Sequence, residues 1–169
     1  MKKIETERLL IRPTNISDAE FIFNLLNTPK WLKYIGNRNL KTAKDAEDYI
    51  KLKMLPQLER LGYSNNTVIR KKDNIKIGTC GLYNREGIDG VDIGFAFLPE
   101  YEKQGYAYEA SSKLILIAKT HFNINKINAI TIKENISSQK LIKKLGLSFD
   151  KLIRIPNDTE ELLLYNIEF

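Results

Sequence analysis

The sequence predicts a mixed α/β (α+β) fold: a mainly antiparallel seven-stranded sheet flanked by helices, in the order β-α-α-β-β-β-α-β-α-β-β. Three observations carry the prediction. Apolar residues recur at helical spacing up to Gly62, fall to a period of two from Ser64, and return to helical spacing after Gly105. Gly, Pro or Asn stands at nearly every change of period. A meander of antiparallel strands is then followed by two β-α units, which excludes a doubly wound parallel sheet.

Taken in order, Ile4 to Arg12 reads as a first strand closed by Pro13. Ser17 is placed as the N-cap of a helix, with Glu20 three residues on at capping-box spacing. Ala19, Ile22, Phe23 and Leu26 form its apolar stripe, and Thr28-Pro29 ends it. Residues 29 to 42 read as irregular. A second helix begins near Thr42 with Ala43, Ala46, Ile50 and Met54 on one face; Pro56 kinks or shortens it and Gly62 ends it. Ser64 to Arg70 and Ile75 to Tyr83 are strands joined at Lys71-Lys-Asp-Asn74. After the turn Gly87-Ile-Asp-Gly90, Val91, Ile93, Phe95 and Phe97 alternate with Asp92, Gly94 and Ala96 as in a half-buried strand. A long helix is expected from about Gly105 to Phe122, a strand at Lys126 to Lys133, and a helix at Ile136 to Leu145 stopped by Gly146. Strands at 147 to 155 and 160 to 169 close the chain.

The 169 residues make a single domain, spanning residues 1–169, with room for a real core; a chain this long buries about 70% of its unfolded surface. The composition is 43% apolar and 28% charged, which excludes disorder, and a single cysteine excludes a disulfide scaffold. No stretch approaches the roughly 20 apolar residues of a membrane helix. The opening Met1-Lys-Lys-Ile-Glu lacks an apolar core region, so it is not expected to be a secretory signal, and the location expected is cytoplasmic. The sequons at Asn15, Asn65, Asn135 and Asn157 carry no meaning on that reading. The net charge of +6 favours anionic partners, but the lysines are scattered, which reads as a solvated basic surface before it reads as a nucleic-acid groove.

Two stretches carry chemistry. In Phe97-Leu-Pro-Glu-Tyr-Glu-Lys-Gln-Gly-Tyr-Ala-Tyr-Glu-Ala110 a strand runs through Pro99 into a loop and a helix start. The first amides of a helix lack internal partners and carry partial positive charge, so Gly105 and Ala107 suit a phosphate cradle, with Lys103 adding a cation. The same residues also suit a tight turn in which Gly105 only relieves strain. Neither a Walker loop nor a dinucleotide fingerprint is present. In Lys133-Glu-Asn-Ile-Ser-Ser-Gln-Lys-Leu-Ile-Lys-Lys-Leu-Gly146, Asn135 can cap the next helix, and Ser138 then stands in its first turn with a hydroxyl able to donate to an anion.

Together with Thr6-Glu-Arg-Leu-Leu-Ile-Arg-Pro13, Asp18-Ala19 and Ile93-Gly-Phe95, these stretches resemble the GCN5-related N-acetyltransferases (GNAT), specifically the RimJ/RimL-like branch. The resemblance spans nearly the whole chain. It implies transfer of acetyl from acetyl-CoA to a primary amine, on a small molecule or a protein N-terminus, by direct transfer in a ternary complex. It implies strands 91 to 98 and 126 to 132 splaying after a bulge around the pantetheine arm. Backbone at Phe97 and Leu98 would meet that arm, and Lys103, Gln104, Gly105, Tyr106, Ala107 and Tyr108 would hold the pyrophosphate. Asn135 would contact the arm from the other side. The family motif often has Gln or Arg where this chain has Glu102, whose carboxylate is expected to face solvent.

The resemblance also suggests Ser138 as the cofactor-side general acid, since the tyrosine many members use is matched by Ile142. A backbone N–H near Leu98 is the candidate for polarising the thioester carbonyl. For the base, Asp92, Glu160, Glu161 or water remain open, each carboxylate reading more simply as solvated. Trp31 and Tyr34 are candidate acceptor walls or plain loop packing. His121 reads as a helix-end residue and Cys80 as core, so no metal cluster and no acyl-cysteine are expected. No membrane partner is expected, nucleic acid is disfavoured, and the chain is a monomer or homodimer. The rival readings are a non-catalytic CoA-binding module and a basic nucleic-acid-binding domain.

Overall fold

In the computed structural model, which describes residues 3–156 and 158–169, the first predicted strand is a hairpin. Its arms are β1 (Ile4–Glu5) and β2 (Leu9–Pro13), paired antiparallel. Thr6 makes the turn: its amide donates to the Leu9 carbonyl at 3.0 Å and its hydroxyl accepts from the Leu9 amide at 3.0 Å. Thr6-Glu-Arg carries no Gly, Pro or Asn, so nothing in its composition marks the break. Among the described residues the sheet therefore has eight strands where seven were expected. The sequon at Asn157 and the residues Met1-Lys2 lie outside the described residues.

The first helix begins differently from expectation. Asn15, not Ser17, is the cap: its side chain accepts from the Ser17 amide, and Asp18 returns the bond to the Asn15 amide. A short 3₁₀ turn (Ile16–Asp18) leads into α1 (Ala19–Leu26), which buries Ile22, Leu25 and Leu26. The segment expected to be irregular contains helix α2 (Pro29–Tyr34), capped by the Thr28 hydroxyl with Pro29 at its first position. Helix α3 (Ala43–Tyr49) starts at a Thr42–Asp45 capping box. It passes through a π-turn (Ile50–Met54) into α4 (Leu55–Leu61), where Pro56 sits in the first turn, and Gly62 ends it. Pro56 does not end the run as expected: the π-turn ahead of it lets the chain continue as helix to Leu61.

The remaining elements are β3 (Asn65–Arg70), β4 (Ile75–Asn84), β5 (Val91–Phe97), α5 (Tyr106–Phe122), β6 (Lys126–Ile132), α6 (Ile136–Lys144), β7 (Ser148–Ile153) and β8 (Leu162–Glu168). The sheet order is β1-β2-β3-β4-β5-β6-β8-β7, and among the described residues only β5 and β6 run parallel. Two cores lie on its two faces. One joins α5 to Leu9, Ile11, Ile77, Ile93, Phe97, Ile127 and Tyr165. The other gathers Ile22, Leu25, Leu26, Ala46 and Ile50, with Ala96 and Leu98 packed against it. Alternate residues of β5 thus feed opposite cores, which is why the strand is more buried than a half-covered one.

Asp18 ties the helical layer to the sheet. It is fully buried and accepts from Arg12 at 2.7 and 2.8 Å and from the Thr67 hydroxyl at 3.0 Å, with the Lys76 ammonium at 2.7 Å. From Thr67 the network continues through Thr14 to Asn65 and on to the Tyr83 hydroxyl. A buried carboxylate is tolerated only when its lone pairs are met in this way.

Candidate active site

The site begins where two strands part. β5 and β6 pair only at Val91–Ile127 and Asp92–Asn128. Beyond that point β6 follows β8, to which it is paired along its whole length, while β5 stays with β4. The β4–β5 ladder keeps one register from Asn84–Val91 to Gly78–Phe97, so the parting occurs without the bulge expected there.

Strand alternation decides which main-chain groups face the gap. The Leu98 amide donates to the Ile77 carbonyl at 2.9 Å, and the Leu98 carbonyl accepts from the Tyr101 amide at 2.9 Å. Both Leu98 groups are committed, which corrects the expectation that its N–H polarises a thioester. Since Leu98 faces β4, the main chain of Phe97 and of Phe95 faces the opposite way, toward the gap. Phe95 was missed because only its side-chain alternation was read. Gly78 holds this end of β5 in place: a Cβ there would stand 2.5 Å from Phe97 Cδ1 and 2.6 Å from the Ala96 carbonyl oxygen. Gly78→Ala is therefore expected to destabilise the fold by about 1–3 kcal/mol, and to weaken cofactor binding further by displacing Phe97. Chemical denaturation and ligand titration of the variant check both.

After β5 a 3₁₀ turn (Pro99–Tyr101) leads to Lys103 (φ 58°) and Gly105 (φ 84°), both left-handed. They turn the chain sharply into α5, a 17-residue helix whose N-terminus has no side-chain cap. Its first-turn amides, at Tyr106, Ala107 and Tyr108, are left for a ligand or solvent. Gly105 leaves the cradle open, since a Cβ there would stand 3.2 Å from Arg8 Nη2. Uncapped amides, positive dipole and a bare α-carbon together fit a pyrophosphate. Gln104 and Lys103 are exposed beside it. Glu102 does not point freely to solvent: its carboxylate pairs with Lys30 Nζ at 2.7 Å. That ion pair answers the repulsion a carboxylate would otherwise exert on a phosphate.

Across the gap, Asn135 is the cap of α6, accepting from the Ser138 amide at 3.2 Å and the Ser137 hydroxyl at 3.0 Å. Ser138 lies half-buried in the first turn. Ile142 is fully buried in the core and has no group to donate. Arg8 also reaches the cradle, and sequence reading passed over it inside the Thr6-Glu-Arg stretch. Its guanidinium lies 4.5 Å from the Tyr106 ring centroid, donates to the Gln104 carbonyl at 3.0 Å and binds Glu109 at 2.7 Å.

Other candidates are placed elsewhere. Asp92 is buried, not solvated, and sits against Arg85 at 3.2 Å; burial raises its pKa while Arg85 opposes the rise. Glu160 and Glu161 are exposed ahead of β8. Trp31 is half-buried against the second core, its indole N–H enclosed without a partner, and Tyr34 lies beneath Lys33. His121 is in the last turn of α5, edge-on to Phe122. Cys80 is fully buried beside Ser111, and burial pushes its thiol up to about 12. A thiol so placed is not a nucleophile. Among the described residues no cluster of His, Cys, Asp and Glu could hold a metal, and no helix is long and apolar enough to cross a membrane.

The parted strand pair and the uncapped helix start beside it leave main-chain groups open to an extended, anionic ligand. Comparison with known proteins gives the family. Residues 8–148 match the Acetyltransferase (GNAT) domain, and the chain belongs to that family. It is 31% identical over 156 residues to the N-acetyltransferase p20 of Bacillus licheniformis, covering 91% of this chain and 86% of that one. Among solved structures it resembles the ribosomal-protein-S5-alanine acetyltransferase of Vibrio fischeri, with a TM-score of 0.82, 21% identity and coverage of 99% and 97% of the two chains. It also resembles spermidine N-acetyltransferase from Vibrio cholerae in complex with CoA and spermine, with a TM-score of 0.78, 17% identity and 96% of each chain covered. The protein is an acyltransferase whose acetyl donor is acetyl-CoA.

Proposed function

We propose that the protein transfers acetyl from acetyl-CoA directly to a primary amine in a ternary complex, on the RimJ/RimL-like pattern, with a small or neutral acceptor preferred. The observation that carries this reading is the parting of β5 from β6 after Asp92–Asn128, next to the uncapped start of α5. Acetyl-CoA brings a thioester whose carbonyl is open to an amine nitrogen. In the chain, the Phe97 main chain lines the arm and its N–H polarises the carbonyl. Amides of Lys103 to Tyr108 hold the pyrophosphate, and Asn135 braces the opposite side through its amide group.

As the carbon–nitrogen bond forms and the carbon–sulfur bond breaks, the Ser138 hydroxyl gives its proton to the departing thiolate and takes one back from solvent water, which also receives the proton the amine loses. Ser138 fits this role because α6 fixes it through its backbone, which leaves the hydroxyl uncommitted among the described residues. The buried Cys80 favours direct transfer over an acyl-enzyme. Asp92 is locked to Arg85, so the proton lost by the amine goes to water.

The acceptor enters beside α2, with Trp31 as its wall. The relatives suggest a ribosomal-protein N-terminus or a polyamine. The cations of the neighbouring segment (Lys33, Arg38 and Lys41) favour an acceptor without dense positive charge. The test is thiol release from acetyl-CoA over a panel of small amines, alanyl and seryl peptides and spermidine. Release that depends on the amine, with intersecting initial-rate lines, is expected. Parallel lines would sink direct transfer, and spermidine as the best acceptor would overturn the charge argument.

A further inference from the structure

Helix α2 is lightly held. It has six residues, too few to be stable alone, and none of them is fully buried. Its start is fixed by the Thr28 cap, and Trp31 packs against the core that Leu98 also joins. The remaining tie is long-range: Lys30 Nζ meets the Glu102 carboxylate at 2.7 Å, across 72 positions of sequence. Among the described residues this is the one side-chain hydrogen bond or ion pair that joins residues 29–39 to another element. Consecutive helical residues stand about 100° apart around the axis, so a bond at Lys30 sets the direction in which Trp31 faces. At its other end the bond stands on the loop before α5. Glu102 lies between the 3₁₀ turn (Pro99–Tyr101) and Lys103, immediately ahead of the amides that would hold the pyrophosphate. That loop has supports of its own. Arg8 donates to the Gln104 carbonyl at 3.0 Å, Gln104 donates to the Glu100 carbonyl at 2.8 Å, and the Arg70 guanidinium lies 4.8 Å from the Tyr101 ring centroid. Loss of the Lys30 ammonium therefore leaves the loop in place and frees α2 alone.

We infer that Lys30 is a positioning residue for the acceptor: through Glu102 it makes the order of α2 depend on the cofactor loop, so that bound acetyl-CoA tightens the acceptor. The inference rests on the reading that acetyl-CoA occupies the start of α5 and that the acceptor enters beside α2. A ligand on the amides after Glu102 restrains the loop, and the ion pair passes that restraint to α2. The second ligand then meets a wall that is already ordered, so less order is left for it to impose. The coupling is reciprocal, so the acceptor tightens acetyl-CoA by the same factor. A partly exposed ion pair supports an effect of about three- to fivefold.

The test is amide hydrogen exchange of the full chain with and without CoA, for the wild type, Lys30→Gln, Lys30→Arg and Glu102→Gln. CoA should slow exchange at residues 103–108 in all four proteins. At residues 31–36 it should slow exchange by about three- to fivefold in the wild type and in Lys30→Arg, whose guanidinium keeps the pair, and in neither Lys30→Gln nor Glu102→Gln. Steady-state kinetics with the best acceptor of the amine, peptide and spermidine panel complete the test. Its KM should rise by the same factor in Lys30→Gln, with kcat within about twofold, and should rise in Trp31→Leu as well. Three results overturn the inference while slowing at 103–108 keeps the cofactor reading: equal slowing of 31–36 in the wild type and Lys30→Gln, slowing in neither, or an unchanged KM in Lys30→Gln. No slowing at 103–108 in the wild type overturns the cofactor reading too. A KM unmoved by Trp31→Leu removes the acceptor from α2, and the inference with it.

Discussion

Ser138→Ala is expected to lower the single-turnover rate of acetyl transfer by about 100-fold, the lower end of what a positioned proton donor contributes. Acetyl-CoA affinity should change by no more than about threefold, since the cradle is built from main chain. The substitution separates chemistry from structure because Ser138 takes part in the α6 cap through its amide, which alanine keeps. Asn135 therefore still receives its bond, and the helix is expected to start at the same residue. Thermal unfolding measured beside the kinetics checks that point. A Ser138→Ala protein with an unchanged single-turnover rate removes Ser138 from the mechanism. Ile142 offers no substitute, because it is buried and apolar.

Asp18→Ala should have the largest effect on stability. It deletes the acceptor shared by Arg12, Lys76, Thr67 and the Asn15 amide, and leaves two cations and two other donors without it. Breaking a buried pair costs about 3–5 kcal/mol, and the partial exposure of Arg12 and Lys76 points to the lower figure. At this chain length that corresponds to a fall in Tm of about 10 °C. The same residue sets an acid limb. Burial alone raises the Asp18 pKa, but bonds from Arg12, Lys76 and the Asn15 amide outweigh it and hold the carboxyl well below its ordinary 3.8. A carboxylate with a depressed folded pKa contributes its full stability above the unfolded value. That contribution fades as pH falls from about 4. Wild type and Asp18→Ala should therefore converge in stability in acid and differ most near neutrality. A constant difference from pH 7 to pH 3 contradicts this assignment.

Much of the fold was legible because its signals are local. Gly62, Gly105 and Gly146 mark helix ends by needing positive φ, and the structure puts them there. The alternation from Val91 to Phe97 located the central strand within a residue. What escaped the sequence was set by contacts distant along the chain. Asp92 looked like an outward residue of a half-covered strand, yet it is buried against Arg85. Asn15 took the cap from Ser17 because Asp18, drawn inward by Arg12 and Lys76, closes the box three residues after Asn15. In the candidate site, one segment showed the helix start at Gly105 but left open whether it cradles a phosphate or is a tight turn. Arg8 was not readable, since only folding brings the β1–β2 turn to the start of α5. The orientation of Phe97 and Leu98 likewise depends on which of them β4 claims, a matter of register that a single strand does not reveal.

The central claim is that the gap between β5 and β6, with the start of α5, is built for acetyl-CoA. Calorimetric titration of the full chain with acetyl-CoA, with ATP as the control polyphosphate in moderate salt, tests it most directly. The account predicts one molecule bound per chain at micromolar affinity, on the order of −8 kcal/mol, with ATP much weaker. Equal, weak and salt-sensitive binding of both would show that Gly105 marks only a tight turn, and would contradict the account.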